Sequence, residues 1–213
     1  MKILYGVQGT GNGHLSRARA MASAFREFDV SVDYLLSGRS ADGFFDMACF
    51  DEFQHREGMT FVTRNGRVNY FRTMLGIKFI RFIADVLSLD VSPYDVIITD
   101  FEPVTAWSGR LRGKTVISMG HQPAFDYAVP VAGRDLISSV ILKFFAPGTV
   151  RMGMHWDKFN APILPPLLFK GGDPGIGNSK KILVYLPFEP FSAVYKVLLE
   201  IPGHDFYVYR PGS

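Results

Sequence analysis

An apolar segment, Lys2 to Val7, runs without an acidic residue into Gln8-Gly9-Thr10-Gly11-Asn12-Gly13-His14. From His14 to about Phe28 the pattern becomes helical, with Leu15, Ala18, Met21, Ala22 and Phe25 on one side. A buried strand that turns through glycines straight into a helix commits the chain to a crossover, because the next strand must return beside the first and parallel to it. The motif then repeats. Val30 to Leu36, Val96 to Thr99 (ending at Asp100), Thr115 to Met119 and Thr149 to Met152 read as further strands. Helical patterns lie at 41–48, 69–89, 103–112 and 133–145. Phe50 to Phe53 and Thr60 to Thr63 read as extended, with Asn65-Gly66 as a hairpin turn.

This alternation predicts an α/β protein with a Rossmann-like, doubly wound parallel sheet, ordered 3-2-1-4-5-6. Composition agrees, since 47% of the 213 residues are hydrophobic and 20% charged, which excludes a disordered or fibrous chain. The net charge of +3 gives no reason to expect a nucleic-acid partner. One cysteine, Cys49, rules out an internal disulfide and a cysteine-based zinc cluster. The N-terminus has no signal-peptide core, and no apolar run is long enough to span a bilayer, so a cytoplasmic protein is expected. Between Pro162 and Ser179, eleven of eighteen residues are Pro, Gly, Asp, Asn or Ser, a dense run of breakers. The expected organisation is a first domain over 1–165, a linker over 166–180 and a second domain begun at 181–213. That last stretch holds one strand–helix–strand unit, too small for its own core, so the chain reads as cut inside its second domain.

The glycine loop leads to the mouth of the crevice that open sheets use for ligands. Glycine lets a ligand approach the backbone, and the helix start favours an anion. The loop is not a phosphate-binding Walker loop, because His14-Leu15 follows the last glycine instead of Lys-Ser/Thr. It is also a poor dinucleotide fingerprint, since His14 stands where that pattern needs glycine. Two readings remain for His14: a structural residue in a tight turn, or a general base near neutral pH. Asp100, ending the adjacent strand, either orients that imidazole or caps the helix after Pro103, and Glu102 competes with it as the carboxylate partner. His121-Gln122, next along the rim, either hydrogen-bonds a polyol or satisfies its own loop.

On Gly9-Thr10-Gly11-Asn12-Gly13-His14, Ile98-Thr99-Asp100-Phe101-Glu102-Pro103 and Ser118-Met119-Gly120-His121-Gln122, the sequence resembles the N-terminal domain of GT-B glycosyltransferases. The resemblance is to the glycosyltransferase 28 group and the UDP-glycosyltransferases, nearest an uncharacterised microbial branch whose first loop reads Gly-His-Leu-Ser-Arg. It covers residues 1 to about 165, and the stretch from Lys181 resembles the opening of the C-terminal domain. It implies two facing Rossmann-like domains that transfer a sugar from a nucleotide-diphosphate donor to a hydroxyl acceptor, with inversion and with neither metal nor cofactor. His14 would then be the base and Asp100 its orienting partner. Gly9, Gly11, Asn12, Gly13, Arg17, Glu102, His121 and Gln122 would form the substrate-binding set. Leu15-Ser16-Arg17 departs from the peptidoglycan enzymes, which carry a proline soon after the histidine. Most of the donor site is missing, so the fragment is expected not to turn over alone. A UDP-sugar 2-epimerase and a non-catalytic phosphate- or lipid-binding module are the alternatives.

The segment 70–89 carries apolar residues around most of its circumference, with Arg72, Lys78 and Arg81 among them. It reads as a peripheral membrane contact suited to a lipid-linked acceptor, as a buried helix whose cations reach water, or as a homodimer contact.

Overall fold

The computed structural model describes residues 1–59, 63–64, 67–68, 77–131, 136–168, 180–186 and 189–209. Two compact units result: Met1–Thr60 with Leu75–Lys170, and Phe61–Met74 with Gly171–Ser213.

The first unit is built on a six-stranded, all-parallel sheet. Its strands are β1 (Lys2–Gln8), β2 (Ser31–Ser37), β3 (Phe53–His55), β6 (Val96–Asp100), β7 (Thr115–Gly120) and β8 (Val150–Gly153), in the order β3-β2-β1-β6-β7-β8. This is the doubly wound order expected from the alternation. The central strand β1 is buried from Ile3 to Gln8, as a strand flanked on both edges and covered on both faces must be. Helix α1 (Asn12–Phe25) covers one face with Leu15, Ala18 and Ala22, all buried at helical spacing. These pack with Tyr5, Val7, Tyr34, Leu36 and Phe50 into a hydrophobic core cluster on that face.

Helix α3 (Pro103–Leu111) crosses β1 so closely that a Cβ on Gly6 would sit 2.0 Å from Thr105 Oγ1. Glycine there is a packing requirement. Helix α2 (Ile77–Ser88) buries Phe82 and Val86 but leaves Ile80 75% and Leu87 63% exposed. The last helix of this unit is α4 (Leu136–Phe144).

The second unit has an antiparallel pair, β4 (Thr63–Arg64) with β5 (Arg67–Val68). It also has a parallel pair, β9 (Lys181–Val184) with β10 (Asp205–Val208), joined through α5 (Phe191–Leu199).

Several boundaries differ from expectation. Helix α1 begins two residues earlier and ends at Phe25. The helix expected over 41–48 is two single-turn 3-10 segments, Ala41–Gly43 and Ala48–Phe50, because three glycine or aspartate residues interrupt 42–46. The Asn65-Gly66 turn, residues 69–76 of the long apolar segment, the first residues of the helix expected from 133, and most of the 166–180 linker lie outside the described residues.

Candidate active site at the carboxyl rim of the sheet

Parallel strands all end at one edge, and β1 and β6 pair there with Val7 opposite Asp100. The loop after β1 turns through Gly11, the N-cap residue of α1, which makes no side-chain capping bond. His14 and Arg17 are three apart on α1, so they share a face, and that face looks onto the end of β6.

His14 Nδ1 lies 2.7 Å from Asp100 Oδ1. Arg17 grips the same carboxylate twice, Nε donating to Oδ2 at 2.6 Å and Nη2 to Oδ1 at 2.7 Å. Asp100 is fully buried, whereas the His14 and Arg17 side chains each keep 17% exposure. Burial pushes the Asp100 carboxyl up, but the His14 imidazole and the Arg17 guanidinium outweigh it and hold the group below its ordinary value. Burial also opposes the Arg17 charge, and the bonds to Asp100 again win, raising it above its usual value.

Arg17 Nη2 is 3.1 Å from His14 Nδ1 as well. An unprotonated Nδ1 would face the carboxylate lone pair to lone pair at 2.7 Å, so Nδ1 carries the proton and donates it to Asp100. The guanidinium is then a neighbour of that nitrogen, not its donor. In the neutral ring this tautomer leaves Nε2 with its lone pair, the state a general base requires.

Of the two carboxylates weighed for this role, Glu102 does something else. It is fully buried and N-caps α3, taking Val104 N at 2.9 Å on Oε1 and Thr105 N at 2.6 Å on Oε2. Ser37 Oγ and Thr105 Oγ1 also donate to it, each at 2.7 Å. Burial pushes its carboxyl up despite these donors. The reading of Glu102 as a substrate contact is therefore corrected, since four donors inside the protein occupy both oxygens. Between the two acids, Phe101 adopts φ 57°, a left-handed turn that costs a non-glycine residue about 1–2 kcal/mol. The capping role considered for Asp100 thus falls to its neighbour but one.

The loop glycines divide in two. A Cβ on Gly9 would meet the Phe44 ring at 2.6 Å and Ser37 O at 2.9 Å, so this glycine serves the protein's own packing. A Cβ on Gly11 would meet nothing nearer than His14 Cδ2 at 3.7 Å, and one on Gly13 nothing within 4 Å. Packing does not demand these two, and the space beside them is open. Asn12 Oδ1 accepts from Arg39 Nη2 at 3.1 Å.

Farther along the rim, Gly120 ends β7 at φ 134°, and a Cβ there would crowd Asp100 Oδ1, Gln122 Oε1 and Arg17 Nη2 at 3.2–3.3 Å. Gln122 and the carboxylate thus both flank Gly120, and Gln122 Oε1 is buried without a partner among the described residues. His121 is exposed and stacks on His155 with ring centroids 5.0 Å apart. Sequence reasoning passed over Gly120 and His155 as site residues and took Arg17 as a substrate contact, not as the clamp on Asp100. The available signals were the i, i+3 spacing of Arg17 from His14 and the repeat of a histidine after the sixth strand, as after the fifth. Among the described residues no three His, Cys, Asp or Glu side chains gather to hold a metal.

A six-stranded parallel sheet of this order, wound with helices, has the architecture of a GT-B N-terminal domain. More narrowly, the chain belongs to glycosyl transferase family 1, whose sequence profile matches residues 1–212. No curated protein matches it by sequence. In fold it is similar to Arabidopsis thaliana UGT89C1 complexed with UDP (TM-score 0.50, 13% identity, 96% of this chain and 63% of that one). It is similar also to Acinetobacter baumannii MurG (TM-score 0.50, 15% identity, 99% and 58%). A third is SsfS6, a glycosyltransferase of Streptomyces sp. SF2575 (TM-score 0.50, 12% identity, 100% and 69%). At these identities the likeness is one of fold, and the chain spans between 58% and 69% of these proteins' lengths.

Proposed function

We propose that this chain supplies the acceptor-activating half of an inverting glycosyltransferase. His14 Nε2 takes the proton of an acceptor hydroxyl. The resulting oxygen attacks the anomeric carbon of a nucleotide-diphosphate sugar, and the bond to the diphosphate breaks with inversion. Asp100 holds the imidazole in the Nδ1–H tautomer and stabilises the imidazolium once the proton has moved. Arg17 keeps Asp100 ionised and still. Open space beside Gly11 and Gly13 admits the sugar or an acceptor phosphate to the backbone. Gln122 Oε1 accepts a hydrogen bond from the acceptor polyol, which supplies the partner it lacks among the described residues. The transfer calls for no resident metal or cofactor, and the nucleotide-sugar is a co-substrate.

The observation that supports this reading is the 2.7 Å bond from His14 to a fully buried aspartate. A histidine that only filled a turn would have no need of a desolvated carboxylate. The test is His14→Ala in a protein that carries this chain, assayed with a labelled nucleotide-sugar. Transfer to a second molecule should fall about 100-fold or more while binding of the acceptor changes little. Label that stays on the nucleotide-sugar with an altered 2-carbon would favour the epimerase instead. Unchanged turnover would leave a binding module.

A lipid-linked acceptor is favoured by α2, where Phe79, Ile80, Ile83 and Leu87 face outward and Arg81 pairs with Glu57 at 3.2 Å. An exposed apolar face with a cation beside it suits an anionic bilayer interface. Among the described residues no helix is long and apolar enough to cross a membrane.

A further inference from the structure

A cavity of about 430 Å³ opens between α3, α4 and the edge strand β8, within the usual ~300–1,000 Å³ range of small-molecule sites. Its walls include Trp107, Arg110, Asp126, Lys143, Phe144 and Arg151. None of these belongs to the His14–Asp100–Arg17 cluster, and the proposed transfer makes no use of them.

The charges in this cavity do not balance. Among the described residues Asp126 is the one carboxylate lining it, and both its oxygens are taken by the Arg151 guanidinium. Lys143 Nζ lies 5.6 Å from the Phe144 ring centroid, a contact with a π-face and not with an anion. Among the described residues the Arg110 guanidinium has neither an ion pair nor a hydrogen bond. Two cations therefore line a concave site in which, among the described residues, no anion is left to meet them. The aromatic wall is held in place, because Trp107 Nε1 donates to Phe144 O at 3.2 Å and so links α3 to α4. Gly148 lets the loop before β8 press onto β7, where a Cβ would meet Ser118 Cβ at 2.6 Å.

We propose that this cavity binds a soluble phosphate monoester whose body presents one flat apolar face. Arg110 and Lys143 take the dianionic phosphate, Arg110 through its planar fork and Lys143 as a point charge. The body lies against the Trp107 indole. A neutral ring compound lacks the group that the two cations need, and a bare phosphate lacks the surface that the indole offers.

The sequence contains two tryptophans, and Trp156 is 87% exposed. Trp156→Phe therefore leaves Trp107 as the only indole reporter at little cost to the fold. Titration of that variant with phenyl phosphate should change Trp107 emission saturably. Inorganic phosphate should compete, and phenol at the same concentrations should not produce the change. Adding Arg110→Ala and Lys143→Ala should weaken binding about tenfold or more, whereas Arg110→Lys with Lys143→Arg should retain it. Both cations are exposed at the rim of the cavity, so circular dichroism should be unaltered in either pair. Asp126→Asn should tighten binding, because it frees Arg151. An equal response to phenol, an equal affinity in the double alanine variant, or no saturable change would overturn the proposal. So would a response to phosphatidylcholine vesicles containing phosphatidic acid with none to phenyl phosphate, since it would identify a lipid headgroup as the source of the phosphate.

Discussion

Asp100 is the residue on which the rim depends, and its burial gives its removal a predictable cost. Asp100→Asn would leave the Arg17 guanidinium largely desolvated with no anion, a change worth about 3–5 kcal/mol in urea unfolding. The same pairing sets a pH dependence. Because the folded carboxyl titrates below its ordinary value, its contribution is complete above about pH 4 and is lost as the pH falls through the lower folded value. The advantage of the wild type over Asp100→Asn should therefore shrink in acid. Glu102 has the opposite sign, since its folded carboxyl is raised. Relative to Glu102→Gln, the wild type should begin to lose stability once the pH exceeds about 4.3, and the loss should finish above the raised value. Two acids separated by one residue thus respond to pH in opposite directions, because the left-handed turn at Phe101 sends one to two cations and the other to a helix end. Neither fate was legible in Asp100-Phe101-Glu102 itself. By residue type Asp100 was the better cap and both carboxylates could partner the imidazole, until the backbone conformation of the residue between them assigned each its neighbours.

At the scale of elements, the contact between β1 and α3 is the most sharply tested. Gly6→Ala would put a methyl group 2.0 Å from Thr105 Oγ1 and 2.8 Å from its Cγ2, overpacking that should cost about 1–3 kcal/mol. Thr105→Ala removes both atoms, so the double variant should recover part of the loss, and a double-mutant cycle would measure the coupling. The strands and the principal helices were readable in advance. Continuous apolar runs between breakers mark buried parallel strands, and the Leu15, Ala18, Ala22 spacing marks α1. The short stretch after β2 was not readable, since its apolar residues fit a helix while Gly and Asp at 42, 43 and 46 favour single turns. The long apolar segment also reads differently once folded. Its described part is one amphipathic helix that buries Phe82 and Val86 and turns Ile80 and Leu87 outward.

For the whole molecule, the outward face of α2 carries the consequence that can be measured. If it meets an anionic bilayer, flotation with such vesicles at low salt should capture the protein. Ile80→Lys with Leu87→Lys should abolish capture at almost no cost in thermal stability, because both side chains are already largely in water. The strand order around β1 and the location of a rim between β1 and β6 followed from the chain's alternation alone, because right-handed crossovers leave few ways to arrange such a sheet. That His14 would stand at this rim also followed, from its place after the first strand. The spacing of Arg17 from His14 was visible in the sequence, but not that its guanidinium would hold Asp100 from the second side, that Gly120 would stand between Asp100 and Gln122, or that three cations and a tryptophan would line one cavity. Those groups are separated by tens of residues, and patterns along a chain carry only local information. Their meeting depends on helix crossings and loop conformations, which the packing of the folded core decides.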